Sequence, residues 1–159
     1  MGRAELSIRE ADKNDLSMII KLKSELFKYE SRIDNLLAKD RKARMYDNIY
    51  NKMSFFNKDF KFYVAEADRR VIGFVSGWVE STPPIFKLRR MGIIGDLYVK
   101  GAYRGTGTGT ELSNAILDWF KKKKIKWVKV MIYTGNNPSK EFWKSQGFED
   151  YIDEYRMIL

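Results

Sequence analysis

The run Arg104-Gly105-Thr106-Gly107-Thr108-Gly109-Thr110 carries the strongest chemical signal in the chain. Glycine lets the backbone approach a ligand closely and adopt dihedrals that other residues avoid. A helix that starts within the run would point its first amide N–H groups outward, and its dipole favours an anion there. The local chemistry is that of a diphosphate site; a glycine-rich turn without a ligand is the plain alternative. Two nucleotide patterns fail on spacing. Gly-x-Gly-x-x-Gly would need its third glycine at Thr110 or Leu112, and no strand ending in Asp or Glu follows about 20 residues on. A P-loop would need Lys directly after the glycines, and none is there.

Proton chemistry is restricted by what the chain lacks. It has no Cys and no His, which removes disulfides, Cys/His metal sites, thiol nucleophiles and imidazole bases together. A general base must therefore be Asp, Glu, a Lys of lowered pKa, Tyr, or a water that such groups hold. Asp96, just before the apolar Leu97-Tyr98-Val99, is the leading candidate by position, and Glu80 at the end of the neighbouring strand is a second. Each could equally be an ordinary strand-end charge. A further cluster comprises Asn136, Ser139, Phe142-Trp143 and Gly147-Phe148. There Asn136 could be a loop cap and Trp143 simple core packing.

The elements that must hold these residues follow from periodicity. Leu6 to Arg9 reads as a first strand. Asp12, Asn14 and Asp15 are N-cap candidates for a helix carrying Leu16, Ile19, Ile20, Leu26 and Phe27. A weaker helical pattern covers roughly 33–57. Alternation at Phe60, Phe62 and Val64, a turn at Asp68-Arg69-Arg70 and the run Val71 to Val79 predict a hairpin. Ile93 to Val99 is another strand. After the glycine run, Leu112, Ala115, Ile116, Trp119 and Phe120 share one face of a helix whose lysine-rich end suits its dipole. A strand is expected over Ile125 to Tyr133. A short helix follows, with Pro138 at its start and Gly147 at its end, then a last strand from Phe148 to Leu159. The order β-α-α-β-β-β-α-β-α-β predicts an α+β, mixed α/β layered fold, with residues 1–159 as a single domain.

The net charge of +9 fits nucleic acid, an acidic protein, a phosphate-rich ligand, or plain solubility. The densest basic patch runs from Lys121 to Lys124, then Lys126 and Lys129; it lacks interleaved exposed aromatics, so nucleic acid is disfavoured. No apolar run spans a bilayer and no signal peptide is evident, so no membrane partner and a cytoplasmic location are expected.

Two motifs together resemble a known family. Arg104-Gly105-Thr106-Gly107-Thr108-Gly109 is similar to the acyl-CoA pyrophosphate loop of GNAT superfamily N-acyltransferases. Asn136, Ser139, Phe142-Trp143 and Gly147-Phe148 resemble a second motif of that family, in the right order and spacing, and the element order matches as well. The resemblance implies a GNAT fold, a central mixed and mostly antiparallel sheet flanked by helices. It implies an N-acetyltransferase that moves an acetyl group from acetyl-CoA directly to a primary amine of a small molecule or protein, with no metal. It places the cofactor in a cleft between the strand holding Leu97, Tyr98 and Val99 and the next one. Thr110 joins the loop residues there, Asn136 anchors the pantetheine, Trp143 shapes the thiol pocket, and Ser139 and Phe142 also bind the cofactor.

The resemblance also implies a carboxylate at Asp96 against the acceptor amine; where related enzymes carry a preceding acid, this chain has Gly95. Trp143 stands where the family often has a Tyr that protonates the departing thiolate, and an indole N–H is no acid at neutral pH. Either the thiolate leaves with solvent help or another Tyr substitutes, with Tyr133 and Tyr98 as the candidates. Acceptor contacts would come from Tyr29-Glu30, Phe55-Phe56, or the loop with Lys87, Arg89 and Arg90. The net charge by itself suits an acidic peptide or an anionic metabolite better than a polyamine. A homodimer is compatible with the family. A module that holds acyl-CoA without turnover is the competing function.

Overall fold

The computed structural model describes residues 5–37 and 55–159. Five strands, β1 (Leu6–Glu10), β2 (Phe60–Ala67), β3 (Arg70–Ser81), β4 (Arg90–Val99) and β5 (Val128–Val130), form one sheet in that spatial order. Neighbours are antiparallel from β1 to β4, and β5 runs parallel to β4. Three α-helices, α1 (Leu16–Glu30), α2 (Thr108–Lys122) and α3 (Asn137–Ser145), and two 3-10 turns, Lys13–Asp15 and Gly101–Tyr103, complete the described elements. Most of the helical stretch expected over 33–57 lies outside the described residues.

Both faces of the sheet are covered. Leu112, Ile116, Trp119 and Phe120 of α2 bury against Ile72, Val75, Ile94 and Val99. Ile19 and Leu22 of α1 bury with Phe62, Val64 and Phe74 on the other face. Each such side chain contributes about 1.5–3 kcal/mol on leaving water. The start of α1 is fixed by polar contacts. The Asp12 side chain accepts from Asn14 N–H at 2.7 Å, and Asp15 accepts from Asp12 N–H at 2.8 Å, closing a capping box. Arg9 of β1 forks onto Asp15 at 2.7 and 2.9 Å. The β2–β3 hairpin turns on Asp68 and Arg69, both with positive φ (49° and 59°), as a two-residue turn matching strand twist requires.

One irregularity shapes everything that follows. Val75 pairs with Leu97 and Gly77 with Ile94, so Ser76 alone faces both Gly95 and Asp96. This is a β-bulge in β4, and Asp96 N–H donates to Ser76 Oγ at 3.0 Å across it. The β4–β5 ladder covers only Gly92↔Val128, Ile93↔Lys129 and Ile94↔Val130, stopping where the bulge begins. Beyond Ile94 the strands part.

Two expectations are corrected by this geometry. The strand predicted over Ile125 to Tyr133 is only Val128–Val130, because the bulge removes its partner after Ile94. The last strand, Phe148 to Leu159, does not form. Its backbone finds no ladder among the described residues, and side chains hold it instead. Arg156 forks onto Asp34 at 2.9 and 3.0 Å, Lys144 pairs with Asp150 at 2.8 Å, and Tyr151 meets the edge of Trp127.

Candidate active site

Where β4 and β5 part, two cavities meet. The first, about 460 Å³, runs from the bulge toward the glycine run. Asp96, Leu97, Tyr98, Val99, Arg104, Gly105, Gly107, Gly109, Thr110, Asn136, Ser139, Phe142 and Trp143 all line it. So thirteen of the residues singled out in the sequence converge from three separate stretches of chain. Three others do not face it. Thr108 is 1% exposed and Thr106 bonds Tyr103 O (2.7 Å) and Thr108 Oγ1 (2.9 Å), so both hold the loop together. Glu80 is exposed, accepts from Trp78 Nε1 at 2.6 Å, and lines neither cavity.

The glycine loop is built to receive an anion. Gly105 and Gly107 have φ of 74° and 90°, and a Cβ at either would touch nothing, so conformation alone demands glycine there. Gly107 is the N-cap of α2 and makes no side-chain capping bond. The first-turn N–H groups of α2 thus lack a side-chain acceptor as well as an intrahelical one. Arg104 crosses the mouth. Its Nε donates to Val99 O at 2.9 Å and its guanidinium lies over the Tyr98 ring, 5.3 Å from the centroid. The Val99 carbonyl is therefore already engaged. The second edge of β4 beyond Ile94 has no strand partner among the described residues, leaving peptide groups for an extended ligand.

Asn136 combines two roles. Its Oδ1 accepts from Ser139 N–H at 3.2 Å, capping α3, and from the Tyr29 hydroxyl at 3.3 Å. Its amide N–H groups are what it can offer a ligand. The cap that the sequence allowed at Asn136 is thus present. Trp143 is buried between Phe142 and Phe148, edge-on to both, so it packs the core and lines the cavity at once.

The second cavity, about 910 Å³, opens on the other side of the bulge. Its charged lining is four carboxylates, Glu30, Asp34, Asp96 and Glu154, against two cations, Lys23 and Arg156. Lys23 Nζ lies 3.1 Å from Asp96 Oδ2, and Arg156 is committed to Asp34. Glu30, Asp96, Tyr133, Gly95, Met131 and Ile132 line both cavities and mark their junction. The Tyr133 phenol is pushed up by burial and by the nearby carboxylates, foremost Glu30, so it stays protonated near neutrality. The Tyr98 hydroxyl instead donates to Glu25 at 3.0 Å.

Gly95 has a steric reason. A Cβ there would lie 2.6 Å from the Trp78 ring and 2.9 Å from Ser76 Oγ, so the ring occupies the space an acidic side chain would need. Glu30 was named only as a residue that could face the acceptor. Its place at the junction depends on α1 packing against β4, a tertiary fact no local pattern records. The lysine patch is partly neutralised, with Lys121 on Asp118 (3.0 Å) and Lys123 on Asp59 (3.2 Å). Among the described residues no cluster of His, Cys, Asp and Glu is placed to hold a metal, and no helix is long and apolar enough to cross a membrane.

Comparison with known proteins agrees with the geometry. An uncharacterized N-acetyltransferase of Methanocaldococcus jannaschii is 27% identical over 147 residues, which are 91% of this chain and 61% of that protein. The chain thus spans about three-fifths of that relative's length. The fold is that of the F44R mutant of the BH1408 protein from Bacillus halodurans (TM-score 0.86, 19% identity, 96% of this chain and 99% of that one). It also matches AAC(6')-Iy in complex with a bisubstrate analog, CoA-S-monomethyl-acetylneamine (TM-score 0.76, 18% identity, 98% and 100% covered). The acetyltransferase (GNAT) family profile matches residues 23–148, from within α1 through the residues that follow α3, and the chain belongs to that family.

Proposed function

We propose that this protein is an acetyl-CoA-dependent N-acetyltransferase, acting as one domain, whose acceptor is a small amine carrying more than one positive charge. The observation that carries the reading is the meeting of two unlike cavities at the β4 bulge. One ends on an uncapped helix N-terminus beside Arg104, and the other is lined by twice as many carboxylates as cations.

The first cavity fits acetyl-CoA by the chemistry of its donors. The N–H groups at the start of α2 and Arg104 suit a diphosphate, and the open β4 edge at Leu97 and Asn136 suit an amide-bearing arm. When bound there, acetyl-CoA supplies a thioester carbonyl open to attack by an amine. The remaining chemistry belongs to the chain. The acidic second cavity draws a cationic amine toward the junction, and its walls hold the amine's other charges away from the reacting nitrogen. N–H groups on the unpaired β4 edge are placed to stabilise negative charge that develops on a carbonyl oxygen. Tyr133, kept protonated, is the hydroxyl at the junction that can donate to a departing thiolate. The net charge of +9 argues for anionic acceptors only from a distance. Inside the cavity the sign is reversed, and local charge decides at contact range.

The test is release of CoA thiol from acetyl-CoA with spermidine, benzylamine and an acidic peptide bearing a free N-terminus. Spermidine is expected to be turned over with the highest kcat/KM. A preference for the acidic peptide would overturn the acceptor class. Tight acetyl-CoA binding with no release for any amine would favour a binding module instead.

A further inference from the structure

We infer that Glu30, the last residue of α1, is the group that takes the proton from the acceptor amine. The inference rests on the transfer reading above and names its base.

The geometry eliminates the other carboxylates in turn. Glu154 is exposed and lines only the second cavity, away from the junction. Glu80 lies outside both cavities. Asp96 is held by Lys23 at 3.1 Å, so its charge is engaged by an ammonium. Asp34 is clamped by Arg156 through both oxygens. Gly95 has no room for an acid, because Trp78 fills the space above it. Glu30 lines both cavities, on the acceptor's path to the junction.

Its environment tunes it for the task. Burial, and then the Asp96 charge, push its carboxyl up to about 7, while Lys23 opposes them. The groups that face it are Lys23 on its own helix, Asp96 on β4 and Tyr133 after β5, with Asp34, Glu154 and Arg156 farther round the cavity. A base poised near the working pH is both ionised in part and strong enough to accept a proton. Asp96 and Lys23 are then positioning residues, acting through Glu30.

The reacting ammonium first gives up one proton to water in the open second cavity. The neutral nitrogen then forms the new C–N bond to the acetyl carbon, and the C–S bond breaks with its electron pair leaving on sulfur. The N–H proton passes to the Glu30 carboxylate, and the thiolate is protonated from water or Tyr133. Glu30 returns its proton through the open second cavity to solvent.

Two measurements test this. In the free protein, the side-chain carboxyl of Glu30, followed by 13C NMR and assigned by its absence in Glu30→Gln, is expected to titrate near 7. Asp96→Asn removes a like charge and is expected to move that titration to lower pH; Lys23→Met is expected to move it higher. With spermidine, benzylamine and sisomicin as acceptors, the acid limb of kcat/KM is expected to carry a break at the same pH, common to all three amines, and to follow the same shifts. Glu30→Gln is expected to lose about 10²-fold or more in kcat while keeping the acetyl-CoA-induced rise in melting temperature. An acid limb unchanged in Glu30→Gln, or a limb that ignores Asp96→Asn while the NMR titration moves, would overturn the role of Glu30 alone. No thiol release by the wild type with any of the three amines overturns the transfer reading, and the role of Glu30 with it.

Discussion

Replacing Gly107 by Ala isolates the contribution of the glycine loop, because the structure removes the usual confounding clash. Gly107 has φ 90° and ψ −9° as the N-cap of α2, and an added Cβ would meet nothing within 4 Å. The only cost is that of holding an L-residue in the left-handed region, about 1–2 kcal/mol. That cost must appear somewhere. If the loop keeps its shape, unfolding becomes easier by the same amount, and the melting temperature falls by about 2–8 °C for a protein of this size. If the loop relaxes instead, stability is spared, and the cost appears as weaker acetyl-CoA binding by about 5- to 30-fold. The two losses together should total about 1–2 kcal/mol. Calorimetric titration with acetyl-CoA and thermal unfolding of the same preparations measure both. Gly101→Ala is the control. It sits in the neighbouring 3-10 turn, has no positive φ and also meets nothing, so it should lose neither stability nor affinity. A Gly107→Ala protein with unchanged melting temperature and unchanged affinity would show that the loop conformation is not what binds the ligand.

Other outcomes follow from single contacts. Arg104→Glu, which places an anion at the mouth of the first cavity, should abolish the acetyl-CoA-induced rise in melting temperature without unfolding the protein. Ser113 Oγ is buried on α2 with no hydrogen-bond partner, so Ser113→Ala should stabilise by about 1 kcal/mol, read as a higher denaturant midpoint. The Arg9 guanidinium holds Asp15 below the usual carboxylate range, with burial opposing and the Asp12 amide assisting. Asp15→Asn should cost about 1–3 kcal/mol at pH 7, a figure discounted because Arg9 is 39% exposed. Because the folded-state pKa of Asp15 is lowered, this stability is fully present above its unfolded value of about 4 and is lost as pH falls through the folded value. The gap between wild type and Asp15→Asn in denaturant unfolding should therefore stay flat from pH 7 to about 5 and close below about 4.

Much of the fold was legible because its signals are local. The spacing of Leu112, Ile116, Trp119 and Phe120 marks a helix face in any context, and alternation through Phe60 to Val64 marks a strand. The first cavity was legible for a related reason. Its two motifs lie on stretches whose spacing survives in one dimension, and eight of their residues line it together with Asp96 to Val99 and Thr110. What escaped depends on partners. Phe148 to Leu159 carries strand-like residues, but a strand exists only if a neighbouring edge accepts it, and the three-residue β5 does not. The bulge at Gly95 and Asp96 is set by pairing with Ser76 across the sheet. The Glu30 carboxyl is pushed up first by burial and then by the Asp96 charge, against Lys23, and these surround it only once α1 packs on the sheet.

The most direct measurement is thermal unfolding of the wild-type protein with and without acetyl-CoA. With ligand at about 100 times its dissociation constant, the folded state should gain about 2.7 kcal/mol. For a chain of this length that is a rise in melting temperature of about 5–11 °C. No rise at millimolar acetyl-CoA would contradict the reading of the cleft between β4 and α2 as an acyl-CoA site.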